Sequence, residues 1–336
     1  MDMKKWKEKV LTADEKKSLP ILSFPCVQLM GISVEQLISD STLQAEGMIK
    51  ISSRIDSFAS LSMMDLSVEA EAFGSEIRKS RDEVPTVTGR IIETPLDARK
   101  LKVPDVKSAR TGLYIKAIEM ASGQINDRPV LSGVIGPFSL AGRLMDMTEI
   151  MANCYEEPDM VNEVLEKTAE FITNYILEFK KAGANGTVIA EPAAGLLSPG
   201  LVDEFSCRYL KKIVDCVKDD NFLVLYHNCG PNTPKMLPSL ISIGADAYSF
   251  GDAIDISEIL KGMPEDVFVL GNISPAAQFR NGNPESVYAA TTELLQKCSK
   301  HKNFVISSGC DIPPLSPWAN IDSFFKAVKD FYTAGK

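Results

Sequence analysis

The sequence predicts an α/β fold, specifically a (β/α)8 TIM barrel, on three observations. From residue 129 onward, a short apolar run, a turn and a longer helical stretch recur six times. Strand followed by helix, repeated, is the pattern of a parallel sheet. Two earlier apolar runs, Ile21-Leu22-Ser23-Phe24 and Phe58-Ala59-Ser60-Leu61-Ser62-Met63-Met64, bring the count to eight. No G-x-G-x-x-G follows any of these runs, which removes the main support for an open, doubly wound sheet. The length of 336 residues suits one large barrel with insertions. No linker or low-complexity stretch divides the chain, so residues 1–336 are read as a single domain.

Taken in order, the chain opens on a lysine-rich segment (Lys4, Lys5, Lys7, Lys9, Lys16, Lys17), read as an N-terminal helix. It holds no apolar core long enough for a signal peptide. The two early apolar runs follow. An insertion near residues 69–105 then breaks the repeat: it carries Arg78, Lys79, Arg81, Asp82 and Glu83 and is punctuated by Pro85, Pro95 and Pro104. It is read as an excursion with a small hairpin, residues 87–90 against 91–93. The run 129–135 leads into a helical region ending near residue 181, and 187–190 into a helix from about 199 to 217. Strand 222–226 precedes a helix at 235–243, and 245–250 one at 256–261. Strand 267–270 leads to a helix at 284–301, and 304–306 to the closing helix at 321–332. In that last helix Phe324, Phe325, Val328 and Phe331 recur at helical spacing.

Composition narrows the function. The chain is 45% hydrophobic and 24% charged with mean hydropathy near zero, an ordinary globular balance. A net charge of −9 and a pI of about 5.0 argue against a nucleic-acid-binding surface. No apolar run is long enough to span a membrane. Seven cysteines, an odd number without framework spacing, suit a reducing cytoplasm better than a disulfide scaffold.

His227-Asn228-Cys229-Gly230 carries the chemistry. It holds one of only two histidines and ends the apolar run 222–226. Side chains on a strand alternate faces, so His227 and Cys229 point the same way, an imidazole and a thiol ready for a zinc ion. Cys310, just past the run Phe304-Val305-Ile306, supplies a third such group at a strand's carboxyl end. Three ligands with an open fourth position belong to catalytic rather than structural zinc. The same residues also have a plainer reading as packed core groups.

In a barrel the strand ends share one pocket, which adds Glu191, Asp252, Asn272 and Ser274 to the site. Glu191 is read as a fourth zinc ligand, as a group that positions substrate, or as a loop acid. Asp252 either orients His227 through its other ring nitrogen or caps a helix. Asn272 either hydrogen-bonds a ligand or makes a turn. Cys207, Cys216 and Cys298 fall in expected helices, Cys26 ends the first expected strand, and His301 sits at a polar helix end; none is read as a ligand.

These residues give the chain a resemblance. It resembles the uroporphyrinogen decarboxylase superfamily, and within it the zinc-dependent corrinoid methyltransferases, over essentially its whole length. The markers are Val68-Glu69-Ala70-Glu71-Ala72-Phe73-Gly74, Gly136-Pro137-Phe138-Ser139, His227 to Gly230, Gly271-Asn272-Ile273-Ser274, and Gly309-Cys310 with Ser316-Pro317 and Asn320-Ile321. The resemblance implies a (β/α)8 barrel and a zinc bound by His227, Cys229 and Cys310. The decarboxylase branch fits less well. Its arginine-rich N-terminal motif, which holds substrate carboxylates, is replaced here by Phe24-Pro25-Cys26-Val27-Gln28-Leu29-Met30-Gly31, with no arginine.

The expected activity is methyl transfer between a corrinoid (cobalamin) and a small molecule. That molecule is a thiol acceptor such as coenzyme M, or a methyl donor such as an ether, alcohol or amine. The chain shows no D-x-H-x-x-G motif, so the cobalamin is expected on a separate corrinoid protein. Tetrapyrrole decarboxylation and a non-catalytic, zinc-braced binding barrel are the alternatives.

Overall fold

Apolar runs bounded by turns pair in parallel wherever a helix of sufficient length carries the chain back between them. In the computed structural model, which describes residues 1–334, nine strands form among the described residues. They are β1 (Ser60–Leu61), β2 (Glu76–Arg78), β3 (Thr86–Thr88), β4 (Val130–Ile135), β5 (Gly186–Ala190), β6 (Leu223–Asn228), β7 (Ala247–Phe250), β8 (Phe268–Ile273) and β9 (Phe304–Ser308). Seven of them, in the order β1-β4-β5-β6-β7-β8-β9, make one parallel sheet. Strands β4, β5, β7 and β9 are buried at every position, as a parallel sheet covered on both faces requires.

The sheet is curled. The segment around residues 18–22 reaches both of its edges: Leu19 N donates to Ile306 O (3.0 Å) on one side, and Phe58 N donates to Ser18 O (3.0 Å) on the other. A flat sheet of seven strands would hold those edges about 29 Å apart. The expected eighth strand at 21–24 does not form, so β-ladder pairing does not close the sheet into the expected (β/α)8 barrel. Pro20 has no N–H to donate. Side chains take further ladder positions, Ser308 Oγ accepting from Ile21 N (2.9 Å) and Ser307 Oγ donating to Leu19 O (2.8 Å).

Two other expectations shift. The excursion does carry a hairpin, but β3 pairs with β2 upstream, Val87 opposite Ile77. Ile91 N and Ile92 N donate instead to Leu144 O. The helical region ending near residue 181 is three helices, Pro137–Met145, Met147–Glu156 and Pro158–Lys181. Asp146 breaks the first from the second with a φ of 79° and caps the second, accepting from Thr148 N (2.8 Å). Pro158 opens the third at a position where a missing N–H is harmless.

Apolar side chains separate into an outer core, between sheet and helices, and an inner one enclosed by the curl. The inner core takes Leu61, Leu131, Val188, Ala190, Leu225, Ala247, Leu270 and Val305 from successive strands. The N-terminal helix, Met3–Thr12, closes its amino end with Val10 and with Trp6, whose ring meets Phe58 and Phe268 edge-on at 6.1 Å. The opposite, carboxyl end of the sheet is where the polar residues collect. No helix among the described residues is long and apolar enough to cross a membrane.

Candidate metal centre

Alternation along β6 decides what faces the interior. Leu225 belongs to the inner core, so His227 and then Cys229, each two residues further on, continue its face. The same parity runs from Ala247 to Ser249 on β7, from Leu270 to Asn272 on β8 and from Val305 to Ser307 on β9. The interior therefore turns from apolar to polar over one layer of residues.

His227 stands in register with Ser249 of the neighbouring strand, and its Nδ1 lies 3.0 Å from Ser249 Oγ. With the hydroxyl accepting, Nδ1 carries the proton and the Nε2 lone pair points away from the strand pair. That Nε2 is buried and has no partner among the described residues. Leaving a buried polar atom unmatched costs about 1–3 kcal/mol, so its position calls for an occupant. The expectation that Asp252 orients the ring is not met: Ser249 does so.

The occupant's other contacts are in place. A ring nitrogen of His227 and the sulfurs of Cys229 and Cys310 all lie within 4.8 Å of one another. Zinc bonds of about 2.3 Å to sulfur and 2.0–2.1 Å to nitrogen set tetrahedral edges of about 3.6–3.8 Å, so the donor set and the spacing both fit. A hydrogen bond from Cys310, helped by the His227 ring, holds Cys229 below the usual thiol range against the effect of burial. The same bond, reinforced by burial, holds Cys310 above that range.

Glycines let the ligand loops close on one another. A Cβ on Gly251 would lie 2.6 Å from Cys229 Cα and 2.7 Å from its Cβ. Gly230, next to Cys229, packs its backbone directly on Gly195 of the loop after β5. In neither place is there a flexible side chain that could move aside.

The remaining expected site residues serve mainly as braces. Glu191, fully buried at the end of β5, lies outside the three-residue group. Its carboxylate accepts from Phe138 N (3.1 Å) and Ser139 N (2.5 Å), capping the Pro137–Met145 helix. Burial pushes it up to about 7, against the opposing hydrogen bonds. Its own N–H donates to His227 O (2.9 Å). Asn272 Nδ2 donates to Gly251 O (2.8 Å) and Ile254 O (2.9 Å), pinning the loop that abuts Cys229. Ser274 Oγ accepts from Ala277 N (3.2 Å) at the next helical turn. Asp252 is exposed beside Gly309, and Asp255, not Asp252, caps the following helix. All seven cysteines are free, and Cys26, Cys154, Cys207 and Cys298 are buried.

Sequence reasoning missed Ser249 and a buried network beyond β1. There Asp65 accepts from Arg110 Nη1 (2.5 Å), Tyr114 Oη (2.8 Å), Ser67 N (3.0 Å) and Ser67 Oγ (2.5 Å), while Arg110 Nε donates to Glu71 (2.5 Å). A hydroxyl at the inward parity of β7, and an acid just past an apolar run, were the signals available.

Comparison with known proteins follows the same lines. The family model for uroporphyrinogen decarboxylase (URO-D) matches residues 24–331. The methylcobamide:CoM methyltransferase MtbA of Methanosarcina mazei is 29% identical over 271 residues, 80% of this chain and 78% of that protein. A uroporphyrinogen decarboxylase of Synechococcus is 30% identical over 213 residues, 61% of this chain and 59% of its own. Among solved structures, a methyltransferase from Methanosarcina mazei superposes with a TM-score of 0.86 at 22% identity, covering 99% of this chain and 100% of that one. At that identity the superposition speaks to the fold.

Proposed function

The chain belongs to the uroporphyrinogen decarboxylase family, and from that premise we propose that it is a zinc-dependent methyltransferase. In this reading it moves a methyl group between cobalamin on a partner corrinoid protein and a small substrate. The substrate is a thiol acceptor such as coenzyme M, or a methyl donor such as an ether, alcohol or amine. The observation that carries the reading is the group His227, Cys229 and Cys310, with Nε2 of the histidine buried and unmatched. We also read residues 18–22 as the eighth stave of this family's barrel, held by hydrogen bonds to both edges of the sheet.

Bound by these three residues, zinc would supply a Lewis acid with one open position, where a thiol is held as its nucleophilic thiolate at neutral pH or a donor heteroatom is polarised. The residues of the chain do the positioning. Ser249 fixes the tautomer of His227 so that Nε2 faces Cys229 and Cys310. Two thiolates set against a divalent ion leave the centre near neutral, which favours a reactive sulfur over a tightly held one. Glu191 holds the helix that walls one side; in its substrate-positioning role it acts through that helix. Asn272 keeps the 251–254 loop against Cys229, and Ser274 and Asp252 lie on the same rim for contact with substrate or partner.

Tetrapyrrole decarboxylation is the weaker reading. Residues 24–31 offer no arginine, and Gln28 in that segment is tied to the carbonyls of Pro314 and Ser316 at 2.8 Å each.

The test is reconstitution. The purified chain alone is expected to show no cobalamin absorbance. Added to a methylated corrinoid protein and a thiol, it should convert the methyl-cobalt spectrum to that of Co(I) and yield one thioether per cobalt. Stoichiometric cobalamin on the isolated chain, or turnover without any corrinoid protein, would contradict this division of labour.

A further inference from the structure

Tyr226 and Asn228 take the face of β6 opposite to His227 and Cys229, because they occupy its alternate positions. Both are buried, and they bond to each other, Asn228 Nδ2 donating to Tyr226 Oη (2.8 Å). The other end of the same amide accepts from Gly230 N (2.9 Å). Turned over, the amide would meet the Gly230 N–H donor to donor, so its orientation is set. Tyr226 anchors the far end, and its own ring packs on that of Tyr248 with centroids 5.9 Å apart.

These bonds close on the residue that follows Cys229. The Gly230 carbonyl is held as well, accepting from Thr233 Oγ1. A Cβ on Gly195 would meet both the Asn228 oxygen and the Gly230 backbone, so the loop after β5 walls the pair in. On the side of β7, Gly251 N donates to Asn228 O (3.2 Å). Cys229 therefore lies between two residues that are each tied down. Glycine has the widest backbone freedom of any residue, and a sulfur preceding an untied Gly230 would have no fixed place. Asn228 itself points away from the ligand face and acts only through the backbone.

We propose that Asn228 is a positioning residue for the metal centre: through its bonds to Gly230 and Tyr226 it sets the place of the Cys229 sulfur relative to His227 and Cys310. This rests on the metal centre of the methyltransferase reading, and the measurements need no methyl transfer. They are zinc affinity, by competition with a chromophoric chelator, and the ligand-field absorption of the Co(II)-loaded chain, which reports ligand geometry. Asn228→Leu, similar in size but without either polar end, should bind zinc about 10- to 100-fold more weakly, the range for loss of an outer support, and shift the cobalt bands. Asn228→Asp keeps an acceptor for Gly230 N and should retain both affinity and spectrum. Tyr248→Phe is the control for a loosened fold. It removes a buried hydroxyl that donates to Leu240 O (2.9 Å) and accepts from Ala245 N (3.2 Å). It should lower the melting temperature and leave metal binding and spectrum unchanged.

An Asn228→Leu chain with the zinc affinity and cobalt spectrum of the unmodified protein overturns the proposal. So does a fall in affinity that Tyr248→Phe matches for the same loss of stability. Should Asn228→Leu fail to fold, the smaller Asn228→Ala carries the same expectation and the same refutation. An unmodified chain that binds neither zinc nor cobalt sinks the metal centre itself, and this proposal with it.

Discussion

Cys310→Ala is expected to purify as a folded chain with almost no zinc, where the unmodified protein carries about one per chain. Removing one of three ligands leaves an imidazole and a single thiolate, and even closed structural zinc sites in zinc-finger peptides are worth only about 10–16 kcal/mol when complete. A loss of even a third of that is a few hundredfold to several thousandfold in affinity, at about 1.4 kcal/mol per decade. Methyl transfer should fall with the metal. Cys298→Ala is the matched control: that thiol is fully buried at the end of the Pro284–Cys298 helix, which leads into the amino end of β9, whereas Cys310 follows the carboxyl end of that strand. It should keep its zinc and lose only the stability of a small cavity. Equal zinc content in the two variants, measured by atomic emission, would remove Cys310 from the site.

Gly251→Ala should be nearly as damaging without touching a ligand. The added methyl would sit 2.6 Å from Cys229 Cα, where real side chains never sit. Either β7 or the Cys229 loop must shift, and Asn272 holds Gly251 O in place at 2.8 Å. The ligand most displaced is Cys229, so zinc affinity should drop by about 10- to 100-fold, the range seen when the support of a metal site is disturbed. Gly262→Ala, which would meet only the end of a leucine side chain at 2.9 Å, should leave zinc unchanged. If Gly251→Ala holds zinc as tightly as the unmodified chain, the close packing at Cys229 has no bearing on the site.

The three metal-ligating candidates were legible because strand parity is local. Leu225, His227 and Cys229 follow one another at two-residue steps, and Cys310 ends its own apolar run. The helices at 256–262, 284–298 and 318–333 likewise appear within a few residues of where apolar spacing put them. What failed depended on partners distant in sequence. Residues 21–24 read as a strand by composition, but Pro20 and the hydroxyls of Ser307 and Ser308 interrupt the ladder from across the molecule. Ser249 reaches His227 only through the β6–β7 register. Asp65 and Arg110 are 45 residues apart, and nothing in the sequence pairs them. Glu191 was rightly placed at a strand end, yet its carboxylate turned toward the helix after β4, because two open N–H groups there, those of Phe138 and Ser139, attract an anion as a metal would.

The most direct test is X-ray absorption at the zinc edge, with and without substrate. The resting protein should show two sulfurs at about 2.3 Å with nitrogen or oxygen completing the shell. A thiol acceptor should raise the sulfur count to three as a light atom leaves. An oxygen-linked methyl donor should keep it at two while the light-atom shell changes. Glu191→Gln should retain zinc, since its oxygens cap the Pro137–Met145 helix, and any change in its resting spectrum would mark the carboxylate as an occasional ligand. A shell that stays the same with every thiol and donor, in the presence of the corrinoid partner, would make the zinc structural and contradict a methyltransferase working through His227, Cys229 and Cys310.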